Sequence, residues 1–242
     1  MLASDAIAHC VVFSDLVHCT VGQLIEIDGD EAHHAVRVKR VRLGERLLLL
    51  DGEGHSGTGI LESITGSRSK PLLSIKLGGV ERSESISPIV EVWAALPKGD
   101  RLDRMIDQLT QLGVSQFRPM ICDRSQRKPD SVRLDKLARI ADEAMKQCQR
   151  PWRLKIGDPV RFDEAIGDSD AIVADAAGDV WGSGGDPKAR IVILVGPEGG
   201  WSNTERSRFV EVGVPLRRFG RHVLRIEAAC SAAAAIVLGA TS

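Results

Sequence analysis

The stretch Arg190 to Glu205, RIVILVGPEGGWSNTE, constrains the fold more than any other. An apolar run runs into a Gly-Pro-Glu-Gly-Gly turn, and Ser202 and Glu205 then stand at the spacing of a capping box that opens a helix. A short apolar run bounded by turn signals fits a strand buried on both faces, which is the habit of parallel sheets covered by helices. The neighbouring segments agree. VEVWAAL reads as a strand and is followed by GDRLDRMIDQLTQLGV, where Leu102, Met105, Ile106, Leu109 and Leu112 recur at helical spacing and Gly113 is a stop signal. A second helix is expected from about Ser131, with Leu134, Leu137, Ile140, Ala144, Met145 and Cys148 on one face and Pro151 just beyond. AIVAD and PLRRF complete a set of strands alternating with helices, the pattern of an α/β domain.

Residues 20–80 follow a different rhythm. GQLIEI, ERLLLLDG, GTGILESI and PLLSIKL are short and separated by Gly, Asp, Ser and Pro, which predicts a small β-barrel or sandwich. The polar ERSESISP places the break between domains of residues 1–82 and 88–242. GEGHSG at 52–57 matches G-x-G-x-x-G in form, but another strand follows it where a dinucleotide fingerprint needs a helix N-terminus. A Gly-rich hairpin is therefore expected, and a nicotinamide-dependent oxidoreductase is the disfavoured rival. The Ala-rich tail EAACSAAAAIVLGA reads equally as a buried terminal helix or as a subunit contact.

Composition narrows the function classes. With 43% apolar and 27% charged residues the chain is ordinary for a globular protein, and no apolar run approaches the ~18 residues of a membrane helix. The N-terminus lacks a basic region and carries Asp5, so a secretory signal is not expected and a cytoplasmic location is. Five cysteines without C-x-x-C spacing exclude a disulfide scaffold and a zinc ribbon, and no metal is expected. The net charge of -1 means that a nucleic acid would have to be met by local patches. Four Trp, five Phe and no Tyr argue against an extended platform of stacking rings.

Two local patterns carry chemistry. The glycines of the 196–200 turn allow close backbone approach to a ligand, with Glu198 as acceptor or charge, and a binding loop is preferred there over an ordinary tight turn. Arg217, Arg218, Arg221 and Arg225 cluster just downstream and suit an anionic partner. Arg37, Lys39, Arg40, Arg42 and Arg46 form a second patch, which on charge alone reads more readily as solvated. His33 and His34 are adjacent and do not converge on one metal, so a structural or RNA-contact role is expected of them. Asp100, Asp103 and Asp107 read as a solvated helix face.

Taken in order, LPKGDRLDRMIDQLTQLGV, LVGPEGGWSNTE and FGRHVLRIEAA resemble the ribosomal RNA small-subunit methyltransferase E family of the SPOUT superfamily. EAHHAVRVKRVRLGERLLLLDGEG resembles that family's N-terminal PUA-like, RNA-binding barrel, so the resemblance spans nearly the whole chain. It implies S-adenosylmethionine-dependent methylation of uridine N3 in 16S ribosomal RNA, within the small ribosomal subunit, by a homodimer. It also implies a C-terminal α/β domain with a deep trefoil knot. Carried over by position, the cofactor would meet Leu194, Gly196, Pro197, Glu198, Gly199 and Gly200 in one loop. Phe219, Gly220, Val223, Leu224, Arg225 and Ala228 would meet it in the other. Arg225, Glu198 and Glu227 are the candidate catalytic residues, and Arg37, Lys39, Arg40, Arg217, Arg218 and Arg221 the candidate RNA contacts. The Ala-rich tail would pack at the dimer interface. Departures exist: Gln111 stands where the family has Glu, Lys146-Gln147 replaces Glu-Gln, Lys39 stands within the family's Val-Leu-Arg, and LRIEAA replaces LRTETA, so that two hydroxyls are lost, one of them at Ile226. They keep open the alternative of a silent or differently targeted RNA-binding or ribosome-assembly factor.

Overall fold

A computed structural model describes residues 7–182 and 188–239. It divides into two units, Met1–Ser85 with Met145–Arg153, and Ile86–Ala144 with Leu154–Ser242.

The first unit is built on a five-stranded sheet. Its elements are β1 (Ile7–Val12), β2 (Leu24–Ile27), helix α1 (Gly29–His34), β3 (Arg46–Leu50), β4 (His55–Ser67) and β5 (Lys70–Arg82). The strand order is β1-β3-β4-β5-β2; β3, β4 and β5 form an antiparallel meander and β1 lies parallel to β3. Alternation explains the core: Leu47 and Leu49 of β3 join Ile25, Ile27, Leu73 and Ile75 on one face. Leu48 and Leu50 point the other way and are covered by Cys10 and by Met145. Met145–Arg153 falls inside the range read from sequence as the second domain, yet it packs within this unit. The Gly54 N–H donates to the Pro151 carbonyl (3.0 Å), the Arg153 N–H to the Gly52 carbonyl (2.9 Å), and the Trp152 indole N–H to the Glu84 carbonyl (3.1 Å).

GEGHSG forms the turn from β3 into the antiparallel β4, with no helix after it. Asp51 closes the turn by accepting the N–H groups of Glu53 and His55. Gly54 is obligatory, since a Cβ there would lie 2.4 Å from the Trp152 ring. Helix α1 and the π-helical turn Ala35–Lys39 that continues it were not legible in the sequence. The turn ends at Arg40 in the left-handed region, φ 56°.

The second unit holds β6 (Ile89–Ala94), α2 (Arg101–Leu112), β7 (Gln116–Ile121), α3 (Leu134–Cys148), β8 (Lys155–Ile156) and β9 (Val160–Arg161). There follow α4 (Phe162–Ile166), β10 (Ala171–Val180), β11 (Arg190–Val195), α5 (Asn203–Val212), β12 (Leu216–Arg218) and α6 (Ile226–Gly239). The last turn of α3 belongs to the first unit. The sheet is parallel, in the order β12-β10-β11-β6-β7-β8, with β9 also pairing β7. Ile191 to Val195 are all buried, as a strand between two parallel neighbours requires. Each such side chain contributes about 1.5–3 kcal/mol.

Helix α2 buries Leu102, Met105, Ile106 and Leu109 and packs against α6. It ends at Gly113, whose φ of 100° is the left-handed cap that glycine supplies. Helix α6 buries Cys230, Ala233, Ala234 and Val237 and leaves Ala235 and Ile236 exposed. Among the described residues no helix is long and apolar enough to cross a membrane.

Candidate active site

The carboxyl end of β11 and the middle of β10 open into a cleft of about 230 Å³. One wall is the loop that leaves β11. Gly196 begins it, and a Cβ there would stand 2.7 Å from the Trp201 indole, so the backbone lies directly on that ring. Trp201 is buried, edge-on to Phe209 at 5.1 Å. The Gly200 N–H donates to the Pro197 carbonyl (2.8 Å), and Gly200 itself sits at φ 70°. The loop then enters α5 through a complete capping box: the Ser202 hydroxyl accepts from the Glu205 N–H and the Glu205 carboxylate from the Ser202 N–H. The second Glu205 oxygen accepts the Asp123 N–H (2.9 Å), and Arg124 donates to the carbonyls of Gly199 and Trp201. The segment after β7 thus pins the loop from outside.

The opposite wall is the segment between β12 and α6, with Phe219, Gly220, Val223 and Leu224 along it. Gly178 allows β12 to come this close, because a Cβ there would meet the Leu216 backbone at 2.5 Å beside the irregularity in the β10–β12 pairing. Ala174, Asp175 and Ala176 floor the cleft from β10. The nearly buried Asp175 carboxylate accepts the Ala177 N–H (2.8 Å) and lies 3.3 Å from the Arg206 guanidinium.

Beside the cleft Arg101 bridges two of the candidate carboxylates, of which Glu198 lines the cleft and Glu227 does not. Its Nη1 donates to Glu198 Oε1 at 2.5 Å and lies 3.8 Å from Glu227 Oε2, while its Nε donates to the Lys98 carbonyl at 3.2 Å. Glu227 Oε2 is buried and has no hydrogen-bond partner, so its nearest cation is within ion-pair reach but outside hydrogen-bond reach. The two buried thiols of this unit, Cys122 and Cys230, are not poised for attack. Burial pushes Cys122 up to about 12, helped by Glu205, and burial beside Glu227 pushes Cys230 well up. Among the described residues no group of three potential ligands is placed to hold a metal.

Of the residues named from sequence, Gly196, Pro197, Glu198, Gly200, Phe219, Gly220, Val223 and Leu224 line the cleft. Leu194 does not: its side chain is fully buried in β11. Gly199 lies outside the lining, against Arg124, and Ala228 is exposed on α6. Arg225 is exposed immediately before α6 and also lies outside the lining. Arg217 and Arg218 face the cleft and Arg221 does not. Arg37, Lys39 and Arg40 are exposed at the end of the π-helical turn in the first unit. His34 stacks on His9 at 5.7 Å. Asp100 and Asp103 make ion pairs with Arg104 and Lys136, and Asp107 accepts from Gln111. Sequence reasoning missed Arg101, Asp175 and Arg206, because what marks them is a partner distant in the chain.

Comparison with known proteins agrees with this arrangement. An RNA methyltransferase domain matches residues 85–238 and an RNA methyltransferase PUA domain matches residues 27–70. The ribosomal RNA small subunit methyltransferase E of Mycobacterium bovis is 30% identical over 238 residues, covering 90% of this chain and 86% of that protein. The protein of the same name from Synechocystis is 27% identical over 205 residues, covering 81% of this chain; the match spans 66% of that protein's length. A crystal structure of the Neisseria gonorrhoeae ribosomal RNA small subunit methyltransferase E, bound to S-adenosyl methionine, is 25% identical with a TM-score of 0.83, covering 96% of this chain and 97% of that one. The domain match over most of the chain and the shared architecture of both units place this chain in the ribosomal RNA small subunit methyltransferase E family.

Proposed function

We propose that this chain transfers a methyl group from S-adenosylmethionine to N3 of a uridine in 16S ribosomal RNA, acting in the cytoplasm on the small subunit. The observation that carries the reading is the cleft at the end of β11, where glycine backbone forms one wall and Glu198, ion-paired to Arg101, lines it. The residues present suit such a donor. Gly196 leaves backbone where a side chain would intrude, and the unsatisfied Glu227 oxygen is an acceptor in need of a donor. The 25% identical Neisseria relative holds the same molecule.

Bound in the cleft, S-adenosylmethionine supplies an electrophilic methyl. The work left to the protein is to hold uracil N3 in line and to manage its proton, and positioning of this kind lowers barriers by several kcal/mol. Glu198 and Glu227 are the acceptors at hand for the N3 proton. Among the described residues Arg225 makes no ion pair, and it stands immediately ahead of α6, from where it can stabilise charge on the uracil oxygens or hold a phosphate. Arg217 and Arg218 would steady the backbone around a base turned out of its stack. Arg37, Lys39 and Arg40 of the first unit would hold RNA further away. We further propose a homodimer through the exposed face of α6, and a trefoil knot in the path through β12 and residues 219–225.

One observation favours a second reading. Ile226, where the family carries a hydroxyl, is buried and lines the cleft, so the chain offers one polar contact fewer. A silent RNA-binding or assembly factor would share the fold and bind the donor weakly. Nucleoside mass spectrometry of unmodified small subunits incubated with protein and S-adenosylmethionine separates the two. N3-methyluridine is the expected product. Absence of any methylated nucleoside, with no calorimetric signal for the donor, would select the second reading.

A further inference from the structure

The floor of the cleft carries a charged group that methyl transfer itself leaves unused. Ala174 is the last residue of β10 to pair with β11, opposite Val195, so Asp175 stands level with Gly196, where β11 gives way to the glycine turn. The pairing of β10 with β12 is interrupted between Ala174 and Asp179, and within that gap the Asp175 side chain lines the cleft. It is 8% exposed, and a carboxylate set so deeply is costly unless its oxygens find donors. Oδ1 accepts the Ala177 N–H at 2.8 Å. Oδ2 has the Arg206 guanidinium at 3.3 Å, which balances its charge, yet among the described residues it accepts no hydrogen bond. What Asp175 lacks is therefore a donor that brings no positive charge. Arg206, Arg217 and Arg218 all line the cleft, so an ammonium or sulfonium group set against Asp175 would lie among guanidinium groups. A vicinal diol brings two O–H donors, no charge, and a spacing that suits one carboxylate. The edge of an adenine alternates donor and acceptor, which suits the N–H and C=O groups of the glycine turns better than a group that only accepts.

We propose that Asp175 holds the ribose of the methyl donor, its carboxylate accepting hydrogen bonds from the 2′ and 3′ hydroxyls. The proposal rests on S-adenosylmethionine as the ligand of the cleft and assigns its sugar a contact. Arg206 is the positioning residue: it balances the carboxylate and fixes its angle. Its own place is set by the glycine wall, because the Arg206 N–H donates to the carbonyl of Ser202, the cap through which that wall enters α5. The arrangement also makes the cleft selective, since a deoxy sugar would leave a buried acceptor unmet.

The test is calorimetric titration of the full chain with S-adenosylhomocysteine and with its 2′-deoxy and 3′-deoxy analogues. The parent should bind at least one deoxy form about tenfold more weakly, the scale of a hydrogen bond to a charged acceptor. Asp175→Ala should weaken S-adenosylhomocysteine to the level of the deoxy forms and bring all three within about twofold of one another. Asp175→Asn keeps the shape and an acceptor for the Ala177 N–H, which guards against a mere folding defect, and should still cut the discrimination about threefold. Arg206→Gln should lower the discrimination and Arg206→Lys restore most of it, a pattern that a merely structural role for Arg206 would not give. Equal affinity of the parent for all three ligands would overturn the subsite. So would Asp175 variants that weaken all three alike, since Asp175 would then serve the wall, the adenine or the amino-acid end. A parent that binds neither S-adenosylmethionine nor S-adenosylhomocysteine would overturn the donor and the subsite together. Ribose discrimination through Asp175 without any methylated nucleoside would overturn the reaction and leave the subsite standing.

Discussion

Arg101 carries more of the site than its position in the sequence suggested. One guanidinium faces Glu198 and Glu227, and its own carbonyl anchor at Lys98 fixes the angle of approach. Because Arg101 and Glu198 are each about a quarter exposed, the pair adds under about 1 kcal/mol to stability, and its weight lies in orientation. Arg101→Ala should therefore lower single-turnover methyl transfer at least about tenfold while leaving the melting temperature close to that of the parent. A loss of melting temperature in proportion to the loss of rate would mean that Arg101 serves the fold instead. The glycines and Glu198 were legible in the sequence because they sit together in one turn. Arg101 was not, since nothing local distinguishes it from Arg104, three residues on, which pairs with Asp100 on the surface.

Helix α5 shows what an element contributes beyond its own residues. Its capping box was readable from the Ser202 to Glu205 spacing; the reach of Glu205 to Asp123 was not, because it joins segments far apart in the chain. Ser202→Ala should cost about 0.5–2 kcal/mol in a urea melt and loosen the donor wall, seen as weaker S-adenosylmethionine binding. Helix α1 escaped the sequence reading because it is short and begins at Gly29 without a side-chain cap. It brings His34 against His9, whose pKa is lowered to about 4, first by burial, then by Lys39, His34 and Lys146, with Glu31 opposing. A His held neutral stabilises the fold fully above its unfolded value of about 6.5, and that stability drains away as pH falls toward 4. Between these limits the stability of the parent should fall with a slope of at most about one proton, and His9→Gln should flatten it.

At the scale of the whole molecule, both fold classes and the change of rhythm near residue 85 were written in the apolar periodicities. What the periodicities concealed is that α3 runs on past its own unit, so that Met145 covers Leu48 and Leu50 and the segment from Pro151 to Arg153 is hydrogen-bonded to the hairpin at Gly52 and Gly54. A polypeptide ending at Ser85 would lose that cover and expose two leucines. It should melt without a cooperative transition, as circular dichroism would show, where the full chain melts cooperatively. The same return of the chain sets an order of events during synthesis. Nascent domains usually close as soon as their last residue leaves the ribosome, yet here the N-terminal unit waits unfinished until Arg153 has emerged. The N-terminal unit is thus no interchangeable cassette: any recombination between residues 85 and 153 would sever it from its own final piece.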